Sequence, residues 1–426
     1  MIAAQFKGVN RFVSDYAEHI NLFTKNARLY LIYVVITGAA IGVFRLLFNF
    51  YALSLGYDEA LLGRLVTVSS LTALVVALPV GYLADILGRK ISLLSSGVIV
   101  SFSVVMMVLW PSTWVLYAAN MMSGFGQSLG AVTRAPFMME NSGAKERTYL
   151  FSFSMGIQMA SASAGNWIGG YLPTWVANAR GVAPTASEAY AGALLIVGVI
   201  LMMAVIPLIL LRTPRIDVSE RSVFAPISYA AKNPAKLTKL ILPMLLTSIG
   251  AGLIMPFMNV FFRQVHHQPD PVIGSLFAWG SLAMGVGLLI APPLAERLGK
   301  IQLVVLTQGI SIPFLVILGF SPWFWMSAMA YYIRLSLMNM SMPIYSTFVM
   351  EQVESSSRAM VASLTSMAWN FGWAFSPAIS GWLQVKYGFG PAFLGTITLY
   401  TVSVILYWAF FLRKKDSAVT APTPGG

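Results

Sequence analysis

The chain contains no cysteine, which excludes disulfide frameworks, thiolate metal sites and cysteine nucleophiles. It has only three histidines, His19, His266 and His267, too few for most metal centres. Charge is scarce too. Asp, Glu, Lys and Arg make up 10% of the 426 residues, where a soluble protein has about 25%. Hydrophobic residues reach 57%. A large water-soluble globule is therefore excluded. The formal net charge of +12 would suggest a nucleic-acid partner in a soluble domain. Here it is assigned to loops facing the cytoplasm, and no nucleic acid is expected.

A helical crossing of a bilayer needs about 20 mostly apolar residues. Twelve such runs are present: 29–53, 62–84, 91–110, 113–139, 150–172, 189–211, 240–262, 272–292, 301–320, 323–350, 359–385 and 391–412. Four charged residues lie inside them, Arg45, Arg64, Arg134 and Arg334, and no Asp or Glu. Backbone polar groups in lipid must be satisfied within the segment, so the runs are expected to be helices. Residues 1–28 carry Asp15 and Glu18 and lack a continuous apolar core, unlike a cleavable leader. Phe6, Val9, Val13, Tyr16, Ile20 and Phe23 recur there at steps of three and four. This reads as an amphipathic helix on the membrane surface, or as a short helix packed on the protein's own loops. With the N-terminus inside, the inner segments hold twenty basic residues and the outer loops three. Both termini are thus expected in the cytoplasm. The segmentation is 1–28 as an N-terminal segment, 29–211 and 240–412 as two six-helix units, 212–239 as a cytoplasmic linker and 413–426 as a cytoplasmic tail.

The two units are related by a gap-free offset of 211 residues. Gly63 meets Gly274, and Gly170 meets Gly381. Leu83, Ala84, Asp85, Leu87, Gly88 and Arg89 meet Leu294, Ala295, Glu296, Leu298, Gly299 and Lys300. Glu140 meets Glu351, and Arg147 meets Arg358. Parallel six-helix repeats of this kind are a known transporter architecture. The loop after the second span, "GYLADILGRK" from Gly81 to Lys90, resembles the signature of the major facilitator superfamily. Ile86 stands where that signature has a base, and "PPLAERLGK" in the second unit is a degraded copy. The resemblance implies an all-α membrane protein of twelve transmembrane helices in two pseudo-symmetric bundles, working by alternating access.

A gate needs contacts made in one state and broken in the other. Gly81, Asp85, Gly88, Arg89, Lys90, Glu140 and Arg147 are expected to latch the cytoplasmic rim. Glu296, Gly299, Lys300, Glu351 and Arg358 are their partners in the second unit. The glycines are expected to permit tight turns and close helix approach.

The resemblance also implies that the first, fourth, seventh and tenth helices line a central cavity. Arg45, Arg134 and Arg334 fall on three of them. Intramembrane charge marks a functional site by default, although Arg134 is near enough to the inner rim to snorkel. Arg64 is read as an interfacial anchor. Without an embedded carboxylate, both proton coupling and cation recognition are disfavoured, and an anionic ligand is favoured. Asn259, Gln158 and Asn370 are polar candidates for the lining. Trp369 and Trp373, one turn apart, either stack on a substrate or pack between helices. The 23 methionines suit varied hydrophobic ligands or ordinary packing. Asn120 and Asn166 replace an Arg and a Pro of the drug–proton antiporter patterns, which puts that coupling in doubt. "MNMSMP" cannot converge three sulfurs on copper along a helix, and His266 with His267 makes a poor metal site.

The expectation is a monomeric transporter of a small organic anion or anionic amphipath, without cofactor or metal, in a bacterial inner membrane. A multidrug or lipophilic-compound exporter is the alternative, and a non-transporting receptor or scaffold stands further off. No span carries an acid–base pair or activated nucleophile, so an enzyme is not expected.

Overall fold

The computed structural model describes residues 22–143, 146–212, 234–353 and 358–413. The expected surface helix of 1–28, the body of the 212–239 linker and the 413–426 tail lie essentially outside them. Among the described residues twelve long helices follow one another: α1 Lys25–Ser54, α2 Glu59–Leu87, α3 Arg89–Leu109, α4 Thr113–Glu140, α5 Arg147–Arg180, α6 Ser187–Ala204, α7 Pro234–Ile254, α8 Asp270–Leu298, α9 Lys300–Phe320, α10 Phe324–Glu351, α11 Arg358–Tyr387 and α12 Gly390–Phe411. Eight helical segments are apolar enough to cross a membrane on length and composition alone. The other four, α4, α5, α10 and α11, are less apolar on average, and they are spanning helices of the same bundles.

Local chemistry sets the helix ends. Thr24 caps α1 by accepting a hydrogen bond from Ala27 N at 3.2 Å. Asp58 caps α2 by accepting from Leu61 N at 2.8 Å. The α2–α3 and α8–α9 turns pass through Gly88 and Gly299 at φ +79° and +90°. A side chain would be strained there, so these two glycines allow one-residue turns. At Gly81 a Cβ would meet nothing within 4 Å, so no close helix approach is made there while the termini side is parted.

The seventh span is not one continuous helix, as the sequence had suggested. It breaks at a 3-10 turn, Met255–Phe257, and resumes as Met258–Gln264. Pro256 lacks the N–H that the helical ladder requires. α5 runs eight residues beyond its expected end at 172 and stops at Gly181, φ +70°.

Within the first bundle α1 packs on α5 and α6, and α4 on α2 and α3; the second bundle repeats the scheme with α7 on α11 and α12, and α10 on α8 and α9. The bundles meet through α2 against α11 and α5 against α8. Four of the six glycines matched by the 211-residue repeat, Gly63, Gly170, Gly274 and Gly381, lie at these two crossings. Cβ atoms at Gly63 and Gly381 would overlap Pro377 O and Glu59 O; at Gly170 and Gly274 they would lie 2.8 Å from Asp270 O and 2.6 Å from Asn166 O. The residues they abut are themselves repeat mates, Asn166 with Pro377 and Glu59 with Asp270. Small residues let the backbones touch where lipid-exposed packing alone gives little driving force.

Let the termini side be the end where α1 begins and α12 finishes. On the opposite, far side one hydrophobic core joins the bundles: Leu47, Phe50, Tyr51 and Tyr190 pack with Met258, Phe261, Phe262 and Ile273. On the termini side the core is split. One cluster around Tyr30 and Phe137 belongs to the first bundle, and one around Tyr345 and Tyr407 to the second. The molecule is closed on the far side and parted on the termini side.

Candidate functional site

The far-side seal is built from polar groups clamped between aromatic ones. Asn49 Nδ2 donates to Pro256 O at 2.7 Å and to Asn259 Oδ1 at 2.9 Å. Asn259 Nδ2 donates back to Leu46 O at 2.8 Å. The carbonyl next to the proline break thus finds its donor in the other bundle. Asn259 is 2% exposed: it is a rung of the seal, not the cavity-lining residue expected from sequence. Its position in a helix was readable, but not its partner. Nearby, Tyr190 Oη donates to Asp270 Oδ2 at 2.6 Å. Asp270 also pairs with Arg263, whose guanidinium lies 3.6 Å from the Phe50 ring centroid. Glu59, the repeat mate of Asp270, accepts from Gln264 Nε2 at 2.5 Å. Ser163 Oγ to Ala278 O at 2.9 Å and Ala378 N to Thr67 Oγ1 at 3.2 Å mark the inner edge of the seal.

Beneath it a cavity of about 580 Å³ runs from Met255 to Met350, at the termini-side end of α10. Every described residue lining it comes from the second bundle. The expected lining by the first and fourth helices is not what encloses this space; α9, α11 and α12 contribute instead. Six methionines line it, Met244, Met255, Met284, Met338, Met342 and Met350, together with Trp369, Trp373, Tyr345, Tyr400 and Tyr407. Among the described residues no carboxylate does.

Arg334 is the charge in this wall. It is 1% exposed. Its Nη2 donates to Tyr400 Oη at 3.1 Å, its Cζ lies 5.4 Å from the Tyr400 ring centroid, and its Nε has no acceptor. Among the described residues no carboxylate lies within ion-pair distance of it. Such a charge is costly in a membrane interior and is offset most readily by an anion. Trp369 and Trp373 both line the cavity, and the buried Nε1 of Trp373 also lacks an acceptor. Asn370 and Gln158 are half-buried and do not line it; a Cβ on Gly38 would lie 3.1 Å from Gln158 O, so that stretch of α5 is packed on α1.

Arg134 is exposed and lies against Tyr30 and Tyr33 of α1. Arg64 Nε donates to Tyr117 Oη at 2.9 Å. Arg45 is exposed and outside the lining of this cavity. Sequence reasoning missed Gln308, Asn339, Tyr400 and Tyr407. Tyr400 and Tyr407 are seven residues apart, two helical turns, and that spacing in an apolar last span was the available signal.

On the termini side Arg89 Nε pairs with Glu140 Oε1 at 2.9 Å, and Lys300 pairs with Glu351. These are repeat mates, each pair held within one bundle. Arg147 Nη2 donates to Ser142 O at 3.3 Å and its Nε is unpaired. Lys90 is half-buried and Glu296 exposed. The side chains of Asp85 and Arg358 lie outside the description.

Two pseudo-symmetric six-helix bundles, sealed at one end and parted around an intramembrane cavity at the other, define a membrane transporter of the two-bundle class. The sequence pattern of the Major Facilitator Superfamily matches residues 30–353 and 240–425, and the chain belongs to that superfamily. Multidrug resistance protein MdtG of Dickeya zeae is 22% identical over 398 residues, 89% of this chain and 93% of that protein. MdtG of Citrobacter koseri is 21% identical over 349 residues, covering 79% and 81%. Among solved structures, the nucleoside transporter NupG superposes with TM-score 0.74 at 14% identity, covering 94% of this chain and 100% of that one. A bacterial homologue of the human lysosomal transporter Spinster, inward-facing and unoccupied, superposes with TM-score 0.71 at 14% identity, covering 96% and 99%. At such identity these structures speak to the fold.

Proposed function

We propose that the protein moves an amphipathic organic anion across a bacterial inner membrane by alternating access, as a monomer with both termini in the cytoplasm. In that orientation the cavity faces inward and the far-side seal is the outer gate. The observation that carries the anion is Arg334: a guanidinium in the wall of a methionine- and aromatic-lined cavity with no carboxylate among its described lining residues. The apolar wall selects the body of the ligand and the cation selects the sign of its charge. The pairs Arg89–Glu140 and Lys300–Glu351 stand at the rims that must meet when the inner side closes, where they are placed to exchange partners between bundles. We assign the chain transport rather than catalysis.

The test is uptake into proteoliposomes of aromatic carboxylates and phosphates beside neutral and cationic analogues of equal size. Wild type is expected to carry the anions, and Arg334→Gln to carry them at least about tenfold more slowly, the worth of one charge-assisted contact. A second reading, export of lipophilic compounds, draws on the six methionines, which repack around varied ligands, and on the multidrug-resistance name of the relatives. If neutral or cationic lipophiles are carried equally by wild type and Arg334→Gln, and anions are not carried, that reading replaces the first.

A further inference from the structure

A hollow of about 440 Å³ opens on the outer face of the first bundle, between the far-side halves of α5 and α6. It is separate from the central cavity and shares no described lining residue with it. Its walls are aliphatic, with Val176 from α5 and Leu195, Ile196, Val199 and Ile200 from α6. Ile196, Val199 and Ile200 are 42%, 56% and 37% exposed, so the groove faces the lipid. Among its described lining residues one is charged, Arg180, which ends α5 at the head of the groove.

Helix geometry fixes the depth. Gly192 is five residues and Ile200 thirteen from the far-side start of α6 at Ser187, about 8 and 20 Å. Each leaflet contributes about 15 Å of hydrocarbon, so the groove descends from headgroup level to about the bilayer centre. The aromatic residues agree. Trp175 is 52% exposed and stacks on Tyr171, and Trp110, Trp114, Trp323 and Trp325 are exposed at the other far-side turns, the level at which Trp marks a membrane interface. Arg180 lies five residues, about 7.5 Å, beyond Trp175 along α5, at the level of lipid phosphates. Gly192 lets it settle on α6: a Cβ there would lie 2.7 Å from Val176 and 3.2 Å from Arg180 Cζ. Arg180 Nη1 donates to Glu188 O at 3.2 Å. The Glu188 carboxylate is bonded by Ser187 Oγ at 3.3 Å. Both side chains are exposed, and no ion pair joins them.

We propose that this groove holds one glycerophospholipid of the far-side leaflet, with a primary-ammonium headgroup. One acyl chain lies along Val176, Ile196, Val199 and Ile200. The phosphate accepts from the remaining N–H groups of Arg180, whose fork matches it. The ammonium donates to the Glu188 carboxylate. Opposite charges set side by side but unpaired complement a zwitterion, whereas a purely anionic headgroup meets Glu188 as a like charge. A choline headgroup brings methyl groups where Glu188 needs donors. The bound lipid ties the end of α5 to the first turn of α6, the turn that carries Tyr190 to its bond with Asp270. The site is independent of what the central cavity carries.

The experiment titrates the purified full-length protein in detergent with four lipids of identical dioleoyl chains: phosphatidylethanolamine, phosphatidylcholine, phosphatidylglycerol and diacylglycerol. Native mass spectrometry reads the affinity of the first bound equivalent, and melting temperature reads the stabilisation that binding brings. Phosphatidylethanolamine is expected to bind tightest and raise the melting temperature most, with diacylglycerol giving the background of the bare chains. Arg180→Gln should weaken phosphatidylethanolamine about tenfold. Glu188→Gln should weaken it about twofold to fivefold, the worth of one exposed ion pair, and bring phosphatidylglycerol level with it. Val199→Trp, which fills the groove from an exposed position, should weaken every phospholipid alike. Glycerophosphoethanolamine, the headgroup without chains, should not compete; competition by it would place the occupant in solution and overturn the lipid site. Equal binding of all four lipids by wild type, or unchanged binding in both Arg180→Gln and Val199→Trp, would also overturn it. Tighter binding of phosphatidylglycerol than of phosphatidylethanolamine would refute the pairing of an ammonium with Glu188.

Discussion

Replacing Tyr190 by Phe removes one hydroxyl from the polar network that crosses the far-side seal. The ring of Tyr190 is 0% exposed and packs in the joint core, so Phe keeps the packing and deletes one hydroxyl. That hydroxyl donates to Asp270 at 2.6 Å, from the first bundle to the second. Asp270 keeps Arg263, which is in its own bundle and need not separate from it in either state. The same hydroxyl accepts from Arg263 Nη2 of the second bundle, so the state-dependent loss is two charge-assisted hydrogen bonds through one oxygen, at least about 1.5–3 kcal/mol. Converted, that is roughly a 10- to 150-fold shift of the equilibrium toward the state with the far side open. The assay is labelling of Ala278→Cys by a membrane-impermeant maleimide added outside cells. Ala278 is 7% exposed at the inner edge of the seal, and no other cysteine competes. Labelling of the Tyr190→Phe form should accelerate by at least that factor, and the effects of Tyr190→Phe and Asp270→Asn should be less than additive, because both act on the one Tyr190–Asp270–Arg263 network. A change smaller than about threefold, near 0.65 kcal/mol, refutes the assignment of this bond as the outer latch.

The inter-bundle crossings and the far-side loop yield two more expectations. Gly381→Val should block close approach of α11 to α2, because a Cβ there overlaps the Glu59 carbonyl; overpacking against backbone costs about 1–3 kcal/mol or more, read as a lower melting temperature and faster labelling of Ala278→Cys. His266 is packed among Phe261, Phe262 and Phe324, its Nε2 has no acceptor, and burial, then the neighbouring His267, lowers its pKa below the ordinary 6.5. The unfolded or opened loop then takes up a proton more readily than the packed one. Stability is intact above about pH 6.5 and falls as pH drops from there toward the lowered value. His266→Phe should flatten that acid limb of melting temperature against pH, and an unchanged limb would assign it to other groups.

Much of this architecture is written in one dimension. Spans are legible because lipid tolerates only segments that satisfy their own backbone. The 211-residue repeat was legible because duplication preserves spacing, and the structure gave it meaning by placing Gly63, Gly170, Gly274 and Gly381 at the two crossings. The turns at Gly88 and Gly299 were equally open to reading, since φ near +80° to +90° excludes most side chains. The partnership of a polar residue within a span was not. Asn259 and Gln158 read alike as candidate lining, yet Asn259 is a rung bonded to Asn49 at 2.9 Å and Gln158 is on α5 where it packs on α1. A helix presents each residue at a known angle about its own axis, but its rotation and the neighbour it meets are set by packing of all the others. For the same reason the sequence placed Arg45 and Arg334 in the membrane without their surroundings. Only the folded bundles decided that one is covered against Tyr400, in the wall of a cavity built wholly by the second repeat, while the other stands unpaired on the first.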